Sequence, residues 1–252
     1  MPNFVHGGKL GDMVFAIPAI NALGGGTLYT KNKYNIFLGP LFVGHTLVSD
    51  MDVYNYPPRP GKKSLAKVLE PLVFWSESHQ REIINLDLYK DTRRHYIYSA
   101  EWVCTLVSKL PGFVQQDLEK PWLLDIPKKE IAKLVMTWTP YQHDKEEIDY
   151  NILSDYMKDL IFLGSPKDYW WFSQKFSFRP ELITANNGLE VASIIAGSKL
   201  YIGNQGFCWS VAEAMKHPRV LEISYVVPMA GPVGPNAWTI LTREIVEEKL
   251  YG

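Results

Sequence analysis

Short apolar runs alternate along this chain with stretches in which apolar residues return every three or four positions. Phe4 to His6 is a short apolar stretch and Gly7-Gly8-Lys9-Leu10-Gly11 a glycine turn. From Asp12 to Leu23 the residues Val14, Ile17, Ala19, Ile20 and Leu23 recur at roughly helical spacing, and Gly24-Gly25-Gly26 follows. The order predicts strand, turn, helix and stop, with Pro18 early in the helix and able to cause only a mild bend. Thr27 to Thr30 and Ile36 to Leu38 are the next predicted strands. After the turn-rich Tyr56 to Gly61, Ser64 to Glu70 reads as helix, Ile83 to Leu86 as strand, and Tyr98 to Lys109 as helix ended by Pro111-Gly112.

The second half repeats the alternation. Strands are expected at Lys133 to Thr137, Leu160 to Leu163, Lys199 to Ile202 and Arg219 to Ile223; helices are expected at Tyr150 to Asp159, Glu190 to Ala196, Phe207 to Lys216 and Trp238 to Leu250. In Phe207 to Lys216 the residues Phe207, Val211, Ala214 and Met215 share one face. Strands that alternate with helices of about ten residues imply βαβ units and a parallel sheet, with the loops after the strands on one edge. The chain is an α/β protein on this reading. A lobe boundary is expected near Lys128, where prolines precede a change of pattern. This predicts an N-terminal lobe over residues 1–127 and a second lobe over 128–235. A C-terminal helix over 236–252 would cross back to the first lobe.

Hydrophobic residues are 46% and charged residues 21% of the chain, enough apolar material for a core and too much for disorder. The formal charge of −1 supplies no global field towards nucleic acid or an anionic membrane. Arg59-Pro60-Gly61-Lys62-Lys63 and Arg93-Arg94-His95 are local basic runs. Cys104 and Cys208 have no metal spacing, and no basic-then-apolar leader is visible, so a reduced cytoplasmic chain is expected. Asp50-Met51-Asp52 has the form of an Asp-x-Asp metal site but is a short match. His79, His95, His143 and His217 lack ligand spacing, so no metal and no cofactor are expected.

Ligands of an open parallel sheet bind beyond the carboxyl ends of its strands, where helix N-termini present unpaired N–H groups. Two places fit. In the first, His6, Gly8 and Gly11 form a loop through which backbone can approach a ligand, Lys9 offers a charge for a phosphate, and Asp12 reads either as a helix cap or as a catalytic carboxylate. In the second, Gly203, Asn204, Gln205 and Gly206 form an exit loop leading to Phe207, with Ser210 one turn on as a further donor for a diphosphate. Glu213 and Glu222 lie along the same unit. Glu222, in an apolar strand, needs a partner such as a ribose hydroxyl pair or Arg219.

The segment Gly11-Asp12-Met13-Val14-Phe15-Ala16-Ile17-Pro18-Ala19-Ile20 resembles the opening motif of the heptosyltransferase-like family 9 glycosyltransferases. Ile194 to Gly206, followed by Val211-Ala212-Glu213-Ala214 and Pro218 to Glu222, is similar to the donor-side motif of diverged relatives. The resemblance implies two Rossmann-like lobes with parallel sheets, the GT-B fold, in a short and diverged member. It also implies metal-independent, inverting transfer of a sugar from a nucleotide diphosphate to an acceptor hydroxyl, with Asp12 as general base. The site would lie in the cleft where the strand ends of the two lobes face each other. Lys9 and the Gly203–Phe207 loop would take the diphosphate, and Glu213 and Glu222 the nucleoside. The family's Thr-Gly-His is replaced by Gln205-Gly206-Phe207, so the donor is not carried over. A glycan, a lipid-linked saccharide or a modified DNA base remain open as acceptor. An epimerase, a hydrolase or a non-catalytic nucleotide-sugar-binding protein on the same fold are the alternatives.

Overall fold

In a computed structural model of the chain, residues 1–30, 32–41, 46–49, 72–76, 80–86, 99–140, 148–223 and 231–252 are described. The predicted helix at Ser64 to Glu70, the loop at Tyr56 to Gly61, Asp50 to Asp52, both basic runs, His79 and His143 lie outside these residues. The chain divides into two compact units, Met1–Asp117 and Leu118–Gly252. The division falls about ten residues before the expected boundary because Trp122 and Leu123 are already bound to the second unit, their N–H groups donating to the Ala214 carbonyl.

The first unit carries strands β1 (Asn3–Val5), β2 (Thr27–Thr30), β3 (Thr46–Ser49), β4 (Val73–Ser76) and β5 (Arg81–Asn85) in the order β3-β2-β1-β5-β4. All pairs are parallel except β4 with β5, an antiparallel edge that the sequence reading did not anticipate. Helix α1 (Leu10–Ala22) follows β1 and packs with α3 (Ser99–Val107). Every residue of α1 from Met13 to Ile20 is buried, so the helix is covered on all sides rather than on one stripe. It runs through Pro18, which lies well past its first turn, and ends where Gly24 and Gly25 take positive φ. Ile36 to Leu38 is not a strand. It closes helix α2 (Asn32–Leu38), in which Leu38 turns inward while Ile36 stays 72% exposed, a split that helical spacing produces.

The second unit holds β6 (Leu134–Thr137), β7 (Leu160–Leu163), β8 (Glu181–Ile183), β9 (Leu200–Asn204), β10 (Arg219–Glu222) and β11 (Ala237–Trp238) in one sheet of order β11-β10-β9-β6-β7-β8. All its pairs are parallel. Counted from β6 this is the doubly wound 3-2-1-4-5-6 order of dinucleotide-binding folds. The crossovers are α4 (Pro166–Lys175), α5 (Gly188–Ala196) and α6 (Phe207–Ala214), of which α4 was not foreseen. Tyr150–Asp159 is a 3-10 segment with a kink at Tyr156 rather than a regular helix.

The C-terminal helix α7 (Arg243–Tyr251) was expected to pack on the first lobe. Its apolar residues Val246 and Leu250 instead join the core of the second unit, with Leu134, Leu160, Leu200 and Val220, and Lys199 Nζ donates to the Leu250 carbonyl at 3.1 Å. A nine-residue helix has one apolar stripe, and here that stripe is used locally.

Phe172 of α4 is the hub of an aromatic cluster, with ring centroids 5.2 Å from Phe162, 4.8 Å from Phe176, 5.2 Å from Phe178 and 6.3 Å from Trp138. Phe172→Ala is expected to lower stability by about 3–5 kcal/mol, read as a shifted urea midpoint.

Candidate functional site

Both sheets reverse strand order beside their central strand, between β1 and β5 in the first unit and between β6 and β9 in the second. Loops leaving either side of such a point diverge and open a crevice. The two predicted loops stand at these two points.

In the first unit His6 continues the β1–β2 ladder, its N–H donating to the Tyr29 carbonyl at 3.1 Å, and its side chain is fully buried. Its Nδ1 accepts the Gly8 N–H at 2.9 Å, which places the proton of a neutral ring on Nε2. Gly7 and Gly8 are buried, Lys9 is exposed, and Gly11 lies inside α1, one residue past its first, so the loop is shorter than expected. Lys9 is the N-cap. Its side chain has no acceptor, and Asp12 supplies the tie from within the first turn: Oδ2 accepts the Lys9 N–H at 2.9 Å. Asp12 therefore fastens the helix start and stays half-buried beside an exposed lysine.

In the second unit several expected ligand groups are engaged by the protein itself. Gly203 and Asn204 belong to β9 and not to a loop. A Cβ at Gly203 would lie 2.5 Å from Thr137 Oγ1 and 2.6 Å from Tyr201 Oη, two hydroxyls that hydrogen-bond each other, so this glycine serves packing. The Asn204 amide is 1% exposed; it accepts the Thr139 N–H at 3.1 Å and donates to the Thr139 carbonyl at 2.8 Å, extending the β6–β9 pairing beyond the strand ends. Gln205 is buried as well. The Ser210 hydroxyl donates to the Gly206 carbonyl one turn back and is 2% exposed, so it is no donor for a ligand.

Gly206 is different. It is the exposed N-cap of α6, in extended backbone with no side-chain cap, and a Cβ there would meet nothing nearer than the Asn204 carbonyl at 4.0 Å. Phe207 and Cys208, half-buried, follow in the first turn. Burial, with the Asp168 carboxylate second, pushes the Cys208 thiol up to about 12, which keeps it protonated. Asp168 is in the first turn of α4, whose head is capped by Ser165 (Asp168 N–H to Ser165 Oγ, 3.1 Å) with Pro166 next. The sequence reading missed this helix head, although Ser-Pro-Lys-Asp is a start signal.

The two nucleoside candidates are also occupied. Glu213 is fully buried: Oε2 accepts from Arg219 Nε at 2.6 Å, and Oε1 accepts from Lys216 Nζ and, at 3.3 Å, from the Val233 N–H. Arg219 in turn donates to the carbonyls of His217, Val233 and Pro235, so the cluster pins 233–235 to the end of α6. Glu222 accepts from the Tyr150 hydroxyl at 2.9 Å. Arg219 cannot be its partner, because residues three apart on a strand point to opposite faces. Burial first, then the Glu222 carboxylate, holds the Tyr150 hydroxyl well above its ordinary range, as a permanent donor. Among the described residues no three His, Cys, Asp or Glu side chains stand together as a metal site, and no helix is long and apolar enough to cross a membrane.

Solved structures resemble the chain over nearly its whole length. A family 9 glycosyl transferase from Veillonella parvula superposes with a TM-score of 0.62 at 14% identity, covering 99% of this chain and 91% of that one. The chain has the GT-B glycosyltransferase fold. E. coli heptosyltransferase WaaC with ADP gives 0.59 at 11% identity, over 98% of both chains, and WaaC with ADP-2-deoxy-2-fluoro heptose gives 0.55 at 12%, over 95% of this chain and 92% of that one. Neither a family model nor a curated protein matches the chain.

Two outcomes test the structural roles. Glu213→Ala strands a buried guanidinium and is expected to lower unfolding free energy by about 3–5 kcal/mol in urea titration. His217, whose Nε2 lies 3.0 Å from Ser198 Oγ, is pushed down to about 4 from its ordinary 6.5 by burial, then by the Arg219 and Lys128 charges. The unfolded chain thus takes up a proton before the folded one, and stability falls as pH drops from 6.5 to 4, by up to about 3 kcal/mol. His217→Gln is expected to flatten that stretch of a thermal-midpoint profile against pH.

Proposed function

We propose that the chain is a glycosyltransferase that moves a sugar from a nucleotide diphosphate to an acceptor hydroxyl. The observation that carries this reading is the head of α6: an exposed glycine N-cap without a capping side chain, at the switch point of a doubly wound sheet. N–H groups at a helix start, with the positive end of the macrodipole behind them, favour a diphosphate. The shared fold with heptosyltransferases, one of them holding ADP, supports a nucleotide-diphosphate sugar as donor and makes ADP the first nucleotide to test. Asp12, in the first turn of α1, is the general base of an inverting, metal-independent transfer in this reading. It takes the proton of the acceptor hydroxyl as that oxygen attacks the anomeric carbon, and the α6 head meets the charge that develops on the departing diphosphate. Lys9, exposed beside Asp12, adds a positive charge at the head of α1.

Gly206 gives a direct test of the α6 head. At Gly206 a Cβ meets nothing in the fold, so Gly206→Val is expected to fold, with a loss of no more than about 1 kcal/mol for a poorer N-cap, and to weaken nucleotide binding by about tenfold or more in calorimetry. Unchanged affinity removes the α6 head from the site. Asp12→Asn keeps an oxygen for the Lys9 N–H and so keeps the helix start; it is expected to cut transfer by about 100-fold or more while donor binding stays within about twofold. Full turnover in that variant reduces Asp12 to a helix fastener. Product analysis with and without an acceptor separates transfer, which needs one, from hydrolysis, which does not.

A further inference from the structure

At the opposite ends of the second sheet, where β6, β7 and β9 begin, lies a hollow of about 520 Å³. Its wall joins stretches far apart in sequence: Lys128, Glu130 and Lys133 ahead of β6, Lys158 and Asp159 ahead of β7, and Lys199 ahead of β9. The strands between are four or five residues long, so roughly 13–17 Å of backbone separates this hollow from the α6 edge. It is a second place on the unit and does not depend on the proposed reaction.

The wall is held in place without a ligand. The Lys129 N–H donates to the Ser193 carbonyl at 2.9 Å and the Lys199 N–H to the Lys133 carbonyl at 2.7 Å, fixing the segment 129–133 at both ends. Gly197 lets that segment pass; a Cβ there would lie 2.4 Å from the Lys129 carbonyl oxygen.

Four lysines and two acidic residues line the hollow, an excess of two positive charges in a chain whose formal charge is −1. Lys133 is tied to Asp159 Oδ1 at 3.1 Å and Lys199 to the Leu250 carbonyl, and each ammonium keeps further N–H donors. Lys128 and Lys158 are exposed and make no hydrogen bond or ion pair among the described residues. The carboxyl end of α5, at Ala196, contributes about half a negative charge, too little to balance the excess. Asp159 Oδ2 is closed to solvent and lies outside a ligand's reach. Two tied and two free lysines around one hollow, in excess over its carboxylates, suit a ligand that carries anionic oxygens.

We propose that this hollow binds a phosphate ester, the headgroup of a sugar phosphate or of an anionic phospholipid, with the lysines taking the phosphate. The full chain is titrated with glucose 6-phosphate, with unphosphorylated glucose as control. It is also co-sedimented with vesicles of phosphatidylglycerol in phosphatidylcholine against phosphatidylcholine alone. Binding of glucose 6-phosphate marks a soluble ligand, and retention on phosphatidylglycerol vesicles marks a lipid headgroup; either supports the site if added salt weakens it and Lys128→Ala/Lys158→Ala reduces it by about tenfold or more. Both side chains are exposed and unbonded, so the double variant is expected to keep the parent's melting temperature and its ADP affinity. The proposal is overturned if neither probe binds, or if binding is the same in the double variant.

Discussion

A parallel sheet covered on both faces has nowhere to put chemistry except its ends, and the second unit is built under that constraint. All of β6, β7, β9 and β10 but Thr137 is buried, so the sheet's polar groups must be matched within the protein or displayed where the strands stop. The protein does both within a few residues. Asn204 closes the pairing of β6 and β9 onto Thr139, and one residue after Gln205 the backbone emerges as the bare start of a helix.

The same constraint explains which sequence readings held. The alternation of strand and helix, the start of the first unit at Asn3–Val5 and Leu10–Ala22, and the strands β6, β7, β9 and β10 were legible because burial on both faces leaves apolar runs, whereas the short edge strands β8 and β11 were not. Ile36 to Leu38 misled because three apolar residues fit either period, and only the fold decides which of them turns inward. The antiparallel β4–β5 edge carries no such signal. The packing of α7 was not legible either, since an amphipathic stripe says that something must cover it and not which unit does so.

At the candidate site the sequence indicated the right places and too many residues. Polar side chains near a predicted loop look like ligand groups, yet Asn204, Ser210, Glu213 and Glu222 each meet a protein partner. Those partners, Thr139, the Gly206 carbonyl, Arg219 and Tyr150, lie from 4 to 72 positions away, so only the folded chain reveals most of them. A buried polar group is costly unless satisfied, and strand ends in a dry sheet are where such satisfaction is arranged. What survives is largely backbone: the extended Gly206 and the first turn of α6, with Asp12 and Lys9 at the head of α1.

Gly203 and Gly206 stand three residues apart and answer to different masters. The first is demanded by two hydroxyls that leave no space for a methyl group; the second has open space where a methyl group would lie. In a lineage that kept the architecture but abandoned its chemistry, drift would spare position 203 and erase position 206. The pair is thus a small built-in control, one locus reporting selection for folding and its neighbour reporting selection for whatever the molecule holds.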